Sequence, residues 1–280
     1  MTPLRTLQLH LLDILKSIDQ VCKEHDLRYY LAAGTMLGAV RHGGFIPWDD
    51  DIDICMPRSD YDRLMRHASE WMPQPYEILC AEYNSDYPSD FAKVVDSSTT
   101  LIERQHHRYV GGLYVDVFPL DTISASPVIQ RIQTWQYSLL KKCLYLLCRD
   151  PYKNGHGPSS WLPLILQHTT DTRTIIRQLL HLQQQWSDSE SGLIIDHDFR
   201  RRGIMPQSVY GTPRPIDFEG YTFCGVAQPH LYLTHLYGDY MTIPPVEQRH
   251  QHNFYYLDYD TPYRQYTDQR PFVQRNNRHT

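Results

Sequence analysis

The chain has 280 residues, of which 41% are hydrophobic and 21% are charged, and its formal net charge at pH 7 is −5. These values are ordinary for a globular protein with one large domain, or with one domain that carries an insert. The acidic balance gives no general electrostatic attraction to nucleic acid or to an anionic membrane. The longest apolar run, residues 143–148, is far shorter than the ~20 residues that span a bilayer, and we predict no transmembrane segment.

The first predicted elements are a helix and a strand. Apolar residues at positions 7, 11, 14, 18 and 21 are spaced by four and three, which predicts an amphipathic packing helix that ends near His25. Residues 27–33 are predicted as the first strand. Gly34 and Thr35 then form a turn into a short helix over residues 36–41.

This turn is a candidate phosphate-binding element. A glycine lets a ligand approach the backbone closely, and free N–H groups at a helix start attract phosphate oxygens. Many helices, however, begin with the same residues as a plain cap. The turn alone therefore leaves both interpretations open.

An acidic run follows, with aspartates at positions 49, 50, 51 and 53. On an extended strand Asp49, Asp51 and Asp53 share one face, and Asp50 lies on the other face with the isoleucines that follow. Three carboxylates within roughly 14 Å of strand repel one another and predict a cation among them. Their hard oxygen ligands favour Mg²⁺ or Mn²⁺. An acidic surface turn is the simpler interpretation, but the flanking Trp48 and Ile52 favour burial and hence a metal site.

The remaining elements are predicted in outline. Ser59 and Asp62 form a capping-box pattern at the start of a helix, and residues 77–81, 91–95 and 111–119 are predicted strands. Residues 124–190 are predicted to be helical, with a loop over 150–160. We interpret the apolar stripe of residues 128–147 as a packing face rather than a membrane surface. A hairpin over 216–224 and a helix from Pro229 to Gly238 complete the prediction.

Three stretches together resemble one family: GTMLGAVRHGGFIPWDDDIDICMPRSDY at 34–61, YVDVFPLD at 114–121 and YLTHLYGDYMTIPPVEQR at 232–249. They are similar to the LicD-like transferases, which include bacterial phosphocholine transferases and, more distantly, the fukutin-type ribitol-phosphate transferases. The resemblance implies a nucleotidyltransferase-like α/β fold with a mixed sheet. It implies a domain over 1–253, with a core at about 27–123 and 191–253 and a helical insert at about 124–190, followed by a C-terminal tail at 254–280.

The resemblance also implies a role for Asp116. On spacing alone it is an edge-strand aspartate in a salt bridge. In the nucleotidyltransferase superfamily, however, a third carboxylate comes from a later strand beside the first pair, and Asp116 has the matching place. It is then a metal ligand or the base that takes a proton from the acceptor hydroxyl. Lys93 matches a family lysine ahead of a Thr-rich turn and is a candidate phosphate contact.

The C-terminal match supplies further candidates. Asp239 and Arg249 position the nucleotide or acceptor, or else they pair with each other or with caps. His252 resembles a family histidine, but Asn253 stands where a second histidine is expected. Asp121 is interpreted as a cap of the next segment.

The resemblance predicts a phosphotransferase that moves a phosphorylated alcohol, such as phosphocholine from CDP-choline, to a glycan hydroxyl. The acceptor is a glycan or lipid-linked glycan such as lipopolysaccharide, teichoic acid or capsule. The predicted metal ligands are Asp49, Asp51, Asp53 and Asp116, of which the last three are catalytic. The groups predicted to contact the nucleotide or substrate are Gly34, Thr35, Arg41, Lys93, Asp239 and Arg249.

Two other functions stay open. The chain can instead attach a nucleoside monophosphate to a small molecule or sugar, or it can be a non-catalytic binding protein. The second is disfavoured because every acidic position that the chemistry needs is present. No nucleic acid partner is expected. Scattered cysteines and the lack of a signal peptide predict a cytoplasmic protein, with a peripheral place at the inner membrane face left open for a lipid-linked acceptor.

Overall fold

A computed structural model describes residues 2–84, 86–187, 190–249, 251 and 254–270. His252, Asn253 and the last ten residues of the predicted tail lie outside the described residues. Within them the α-helices are α1 (Pro3–Glu24), α2 (Ala33–His42), α3 (Arg58–Arg66), α4 (Ala68–Trp71), α5 (Pro127–Cys148), α6 (Pro158–Thr169), α7 (Thr172–Gln184), α8 (Gln207–Tyr210) and α9 (Pro229–Tyr237). Two 3-10 turns cover Arg200–Gly203 and Val246–Gln248.

The strands form one mixed sheet and a separate hairpin. They are β1 (Tyr30–Leu31), β2 (Asp53–Pro57), β3 (Tyr76–Leu79), β4 (Ala92–Ile102), β5 (Gly111–Thr122), β6 (Leu193–Asp196), β7 (Ile204–Pro206), β8 (Arg214–Phe218), β9 (Tyr221–Gly225) and β10 (Tyr256–Asp258). The sheet runs β1-β2-β5-β4-β10, with β3 also paired to β4, β6 to β5 and β7 to β6. Only the pairing of β2 with β5 is parallel among these described strands. The predicted mixed α/β fold class is confirmed.

Helix α1 confirms the first predicted helix and covers the sheet. Thr2 caps it by accepting a hydrogen bond from the backbone N–H of Arg5, and Pro3 occupies its first turn. Its apolar stripe, including Leu11, Leu15 and Ile18, is buried in the main core. Each such buried side chain contributes about 1.5–3 kcal/mol, so tertiary burial holds this helix in place.

Local signals misplaced several element boundaries. The strand predicted over 27–33 is reduced to β1, because α2 already begins at Ala33. The capping box at Ser59 is wrong: α3 begins at Arg58, its N-cap is Pro57, and no side chain caps it. Helix α6 begins inside the predicted loop. Asp121 is no cap but accepts hydrogen bonds from Arg58 at 2.7 and 2.8 Å in a buried ion pair.

Helices α5, α6 and α7 lie between β5 and β6 in the chain, and α5 and α7 share an apolar cluster of their own. The buried carboxylate of Asp90, two residues before β4, connects α5 and α7 to the sheet. It accepts hydrogen bonds from Tyr137 and Lys141 on α5, both at 2.7 Å, and from Gln183 on α7 at 2.9 Å. A charge withdrawn from water in this way needs all of these donors.

The packing interpretation of the α5 stripe holds for part of the helix. Leu144 and Leu147 are buried in the apolar cluster with α7. Ile132, Trp135 and Leu139, however, are exposed. The helix has two apolar faces, and only one of them packs against other parts of the chain among the residues that the structure describes. Within the described residues, no helix is long and apolar enough to cross a membrane.

Candidate active site

The parallel pairing of β2 and β5 brings Asp53 and Asp116 together. They are register partners on adjacent strands, and the backbone N–H of Asp116 donates a hydrogen bond to the carbonyl of Ile52 at 3.0 Å. Two aspartates that are far apart in the chain therefore lie side by side in the sheet. This is the juxtaposition that the resemblance led us to expect.

The rest of the acidic run is arranged differently from the prediction. Strand β2 begins only at Asp53, and the backbone N–H of Asp49 closes a turn onto Ile46. Carboxylate oxygens of Asp49, Asp50 and Asp51 lie within 4.8 Å of one another. Burial still alternates along the run, with Asp50 buried and its neighbours partly exposed, but residues 49–52 form no strand and one oxygen of Asp50 lies near those of its neighbours. The prediction that Asp50 faces away from the group is wrong for this reason.

The start of α2 supports the acidic run from behind. The hydroxyl of Thr35 accepts a hydrogen bond from the backbone N–H of Asp53 at 2.9 Å and so fixes the strand start. A Cβ on Gly34 would lie 2.8 Å from Oδ2 of Asp49, so a larger residue would displace that carboxylate from its present position. Ala33, with a left-handed φ of 46°, donates its N–H to the phenol oxygen of buried Tyr232 at 3.0 Å.

Burial and mutual repulsion perturb the central carboxylates. Burial raises the pKa of Asp53 well above its ordinary value, and the charges of Asp51 and Asp116 raise it further. Burial raises the pKa of Asp116 to about 7, although Lys93 opposes this effect. Carboxylates that resist ionisation at neutral pH need a cation nearby if they are to carry charge.

The donor set fits a divalent cation with hard oxygen ligands. Asp116 Oδ1 is buried and makes no hydrogen bond within the described residues, although it lies 3.3 Å from the Lys93 ammonium. The grouped carboxylates of Asp49, Asp50 and Asp51 offer further oxygens, which Mg²⁺ and Mn²⁺ prefer. The residues therefore suit the predicted metal.

Lys93 lies beside the aspartates with two carboxylate partners. Its Nζ is 2.7 Å from Oε1 of Glu103 and 3.1 Å from the centroid of the Tyr114 ring. It is also the register partner of Asp116 across β4 and β5. The ammonium therefore balances Asp116, and contact with a donor phosphate stays a prediction.

Of the remaining predicted residues, Arg249 packs on Trp48, at the edge of the acidic run. The Arg249 guanidinium is 4.4 Å from the Trp48 ring centroid, and its Nε donates to the Pro244 carbonyl. Arg41 donates to the Tyr240 carbonyl at 2.7 Å. Asp239 is exposed and accepts a hydrogen bond from the hydroxyl of Thr242 at 2.6 Å, and both predicted roles of this residue stay predictions.

Sequence reasoning missed three residues near the carboxylates. Glu103 holds Lys93, as described above. Tyr237, the last residue of α9, lies close enough to Asp53 and Asp49 that burial and their charges raise the pKa of its phenol. Asp198 adds to the charge that raises the pKa of Asp53. Tyr237 lies within the third matching stretch, and Asp198 within an Asp-His-Asp run, but neither spacing indicates a site by itself.

A large cavity adjoins the site on the far side of Lys93. It has a volume of about 1400 Å³ and lies between β4, β5, the helices α5 and α7, and the segment around Tyr263. Lys93, Glu103 and Tyr114 contribute to its wall. The cavity is large enough for a substrate the size of a nucleotide or a short glycan.

Comparison with known proteins agrees with this arrangement. Residues 26–138 match the family described as LicD/FKTN/FKRP, nucleotidyltransferase domain. This range contains the acidic run, Lys93 and Asp116. This part of the chain is therefore similar to the nucleotidyltransferase domain of that family.

Individual proteins of known name are similar to this chain. The chain is 28% identical over 270 residues to the lipopolysaccharide cholinephosphotransferase LicD of Haemophilus influenzae, covering 89% of this chain and 96% of that protein. A stretch of 28 residues is 57% identical to the human and mouse ribitol 5-phosphate transferase FKRP, covering 10% of this chain and 6% of those proteins. The predicted resemblance to the LicD family is therefore confirmed over residues 26–138, and the similarity to a cholinephosphotransferase agrees with the predicted enzyme class, a phosphotransferase.

Proposed function

We propose that this enzyme transfers phosphocholine from CDP-choline to a hydroxyl of a cell-surface glycan, with Mg²⁺ or Mn²⁺ as cofactor. The observation that supports this most is the 28% identity to a lipopolysaccharide cholinephosphotransferase over 96% of its length. The pairing of Asp53 with Asp116 supplies the chemistry that such a transfer requires. Lipopolysaccharide is the acceptor that the relative favours, and teichoic acid and capsule are other glycans of this kind.

The reaction forms a bond between the acceptor oxygen and the phosphorus of phosphocholine. It breaks the bond from that phosphorus to the bridging oxygen, so cytidine monophosphate leaves. Asp49, Asp51 and Asp53 would hold the cation, and Asp116 would either complete this site or act as the base. Charge on the phosphate oxygens is neutralised by the divalent cation when it is bound.

The other groups act on the substrates. Asp116, with a pKa of about 7 set by burial and moderated by Lys93, suits the base that takes the acceptor proton. Gly34 and Thr35 offer backbone N–H groups at the start of α2 to the diphosphate. Arg41, Lys93 and Arg249 supply positive charge around it. We also propose a cytoplasmic location, since free, scattered thiols suit a reducing compartment.

A second candidate is transfer of the nucleotide itself. The description of the matching family as a nucleotidyltransferase domain favours it, because the same carboxylates serve attack at the α-phosphate of a nucleoside triphosphate. The two reactions release different products. Cytidine monophosphate indicates transfer of phosphocholine, and pyrophosphate indicates transfer of a nucleoside monophosphate.

The test is cytidine monophosphate release from CDP-choline, with Mg²⁺ or Mn²⁺ and a choline-free lipopolysaccharide acceptor. We expect Asp53→Asn to lower the rate at least about hundredfold, because the lost carboxylate serves charge and cation binding. Asp13→Asn is the matched control, since its carboxylate pairs with Lys16 on the surface of α1. Near-normal turnover in Asp53→Asn would contradict the assignment of this site. Release of pyrophosphate from a triphosphate, with CDP-choline inert, would favour the second candidate.

A further inference from the structure

Helix α5 presents an apolar stripe to the surface. Val128, Ile132, Trp135 and Leu139 follow one another at spacings of four, three and four, which places them on one face of the helix. Their exposed fractions are 60%, 52%, 65% and 47%. Single exposed apolar residues are common, but a row of four large ones on one helix face indicates an interaction surface.

A basic groove runs beside the stripe. Its volume is about 620 Å³, and it lies between α5 and the segment 198–202. Trp135 belongs both to the stripe and to the groove. The charged residues of the groove are four arginines and one aspartate: Arg131, Arg200, Arg201, Arg202 and Asp198. Within the part of the chain that the structure describes, no carboxylate forms an ion pair with Arg131, Arg201 or Arg202.

This local charge differs in sign from the charge of the whole chain. The net charge of −5 is a sum over the whole chain. At physiological ionic strength, charges more than about 8 Å apart are largely screened from one another. A ligand at the groove therefore responds to the arginines rather than to the distant acidic groups.

We propose that the α5 stripe and the arginine groove together bind the surface of an anionic phospholipid bilayer. An amphipathic helix with a Trp and aliphatic residues beside arginines is suited to lie in the plane of the membrane interface. The apolar side chains enter the acyl boundary while the guanidinium groups hold lipid phosphates in forked hydrogen bonds. Charge complementarity favours an anionic bilayer over an apolar protein partner, which would leave Arg131, Arg201 and Arg202 without counter-charges.

The α5 stripe and the arginine groove lie close to the candidate active site. Phe199 lines the groove and contacts Tyr237 of α9, with the edge of one ring against the face of the other and the ring centroids 6.3 Å apart. A bilayer on the groove therefore lies next to the candidate active site. This placement would bring a lipid-linked glycan acceptor to the carboxylates, a role that rests on the proposed function. The binding itself does not depend on which group is transferred.

The test is co-sedimentation with vesicles of equal parts phosphatidylglycerol and phosphatidylcholine, against vesicles of phosphatidylcholine alone. We expect binding to the anionic vesicles only. Arg201→Gln/Arg202→Gln should weaken it roughly 25-fold, since each basic group near an anionic surface contributes about 1 kcal/mol, or about fivefold. Ile132→Ser/Trp135→Ser should weaken it at least about tenfold through lost apolar burial.

The matched control is Arg173→Gln/Arg177→Gln, which removes the same charge from α7. Arg173 lines the larger cavity instead of the groove. We expect this variant to bind within about twofold of the wild type. All substituted side chains are exposed, and thermal unfolding of each variant checks that the fold is retained.

A second measurement locates Trp135 directly. Lipids brominated on their acyl chains quench an indole that enters the bilayer. We expect Trp135→Phe to bind as the wild type does but to lose a large part of the quenching. Unchanged quenching in this variant would contradict entry of α5 into the membrane.

Three outcomes overturn the proposal. The first is a wild type that ignores anionic vesicles. The second is a control variant that loses as much affinity as Arg201→Gln/Arg202→Gln. The third is a wild type that forms a dimer and does not bind vesicles, while Ile132→Ser/Trp135→Ser is monomeric. That result would assign the stripe to contact with a second copy of the chain. No donor or acceptor is present in these assays, so failure of the proposed reaction leaves their result unaffected.

Discussion

Replacing Lys93 by glutamine removes a positive charge that two carboxylates share. The Lys93 side chain is 8% exposed, and its ammonium lies 2.7 Å from Glu103 and 3.3 Å from Asp116. Removal of one partner from a buried ion pair costs about 3–5 kcal/mol, because the remaining charge is left uncompensated. Glu103 is 36% exposed and water screens it in part, so we expect the lower end, about 3 kcal/mol.

The loss is measurable as a change in melting temperature. For a domain of this size class, 1 kcal/mol shifts the midpoint by about 2–4 °C, so Lys93→Gln should melt roughly 6–12 °C below the wild type. A second readout is the pH dependence of turnover. Lys93 lowers the pKa of Asp116, and its removal should move the ascending limb of the rate profile to higher pH.

Two further variants test the reasoning. Lys93→Gln/Glu103→Gln removes one of the uncompensated charges and should recover part of the lost stability. Lys16→Gln removes a lysine from an exposed ion pair with Asp13 and should change stability by less than about 1 kcal/mol. A Lys93→Gln protein that melts with the wild type, or a double variant no more stable than the single one, would refute the shared-charge explanation.

Three other predictions follow from the same geometry. Gly34→Ala should lower turnover at least about tenfold, because the new Cβ displaces the Asp49 carboxylate. Its melting temperature should be unchanged or raised, because alanine favours the helix. A fully active variant would contradict this prediction. Without divalent cations, Asp116→Asn should gain stability relative to the wild type as the pH rises from about 4 to about 7, since the raised pKa makes ionisation of Asp116 unfavourable in the folded state. Mn²⁺ should stabilise the wild type at pH 7 but the variant much less, as followed by thermal unfolding. Asp90→Asn should lower the free energy of unfolding, measured in urea, by about 3–5 kcal/mol, because it leaves the partly buried Lys141 unpaired. A decrease below about 1 kcal/mol would contradict the view that Asp90 holds α5 and α7 to the sheet.

The sequence by itself determined the features that depend on neighbours in the chain. The spacing of apolar residues in α1 and the alternation of burial around Ile52 reflect the periods of a helix and a strand. Gly34 was predicted to allow a close approach, and the structure has a carboxylate there. The acidic run was recognisable as a site because so many carboxylates between apolar residues are costly without a cation.

The tertiary structure decided what depends on residues far apart in the chain. No local pattern pairs Asp53 with Asp116, or sets Lys93 against Glu103; the register of the sheet does so. Asp50 was misassigned because irregular backbone over residues 49–52, rather than an extended strand, precedes β2.

The same limit applies to α5 and its surroundings. Its apolar residues indicate that the helix packs against other parts of the protein. Their periodicity does not predict that α7 covers one face and leaves Trp135 exposed on the other. The acidic net charge likewise gave no sign of the arginine groove. That groove exists only because folding brings Arg131 on α5 next to residues 200–202, and local charge rather than net charge governs what binds there.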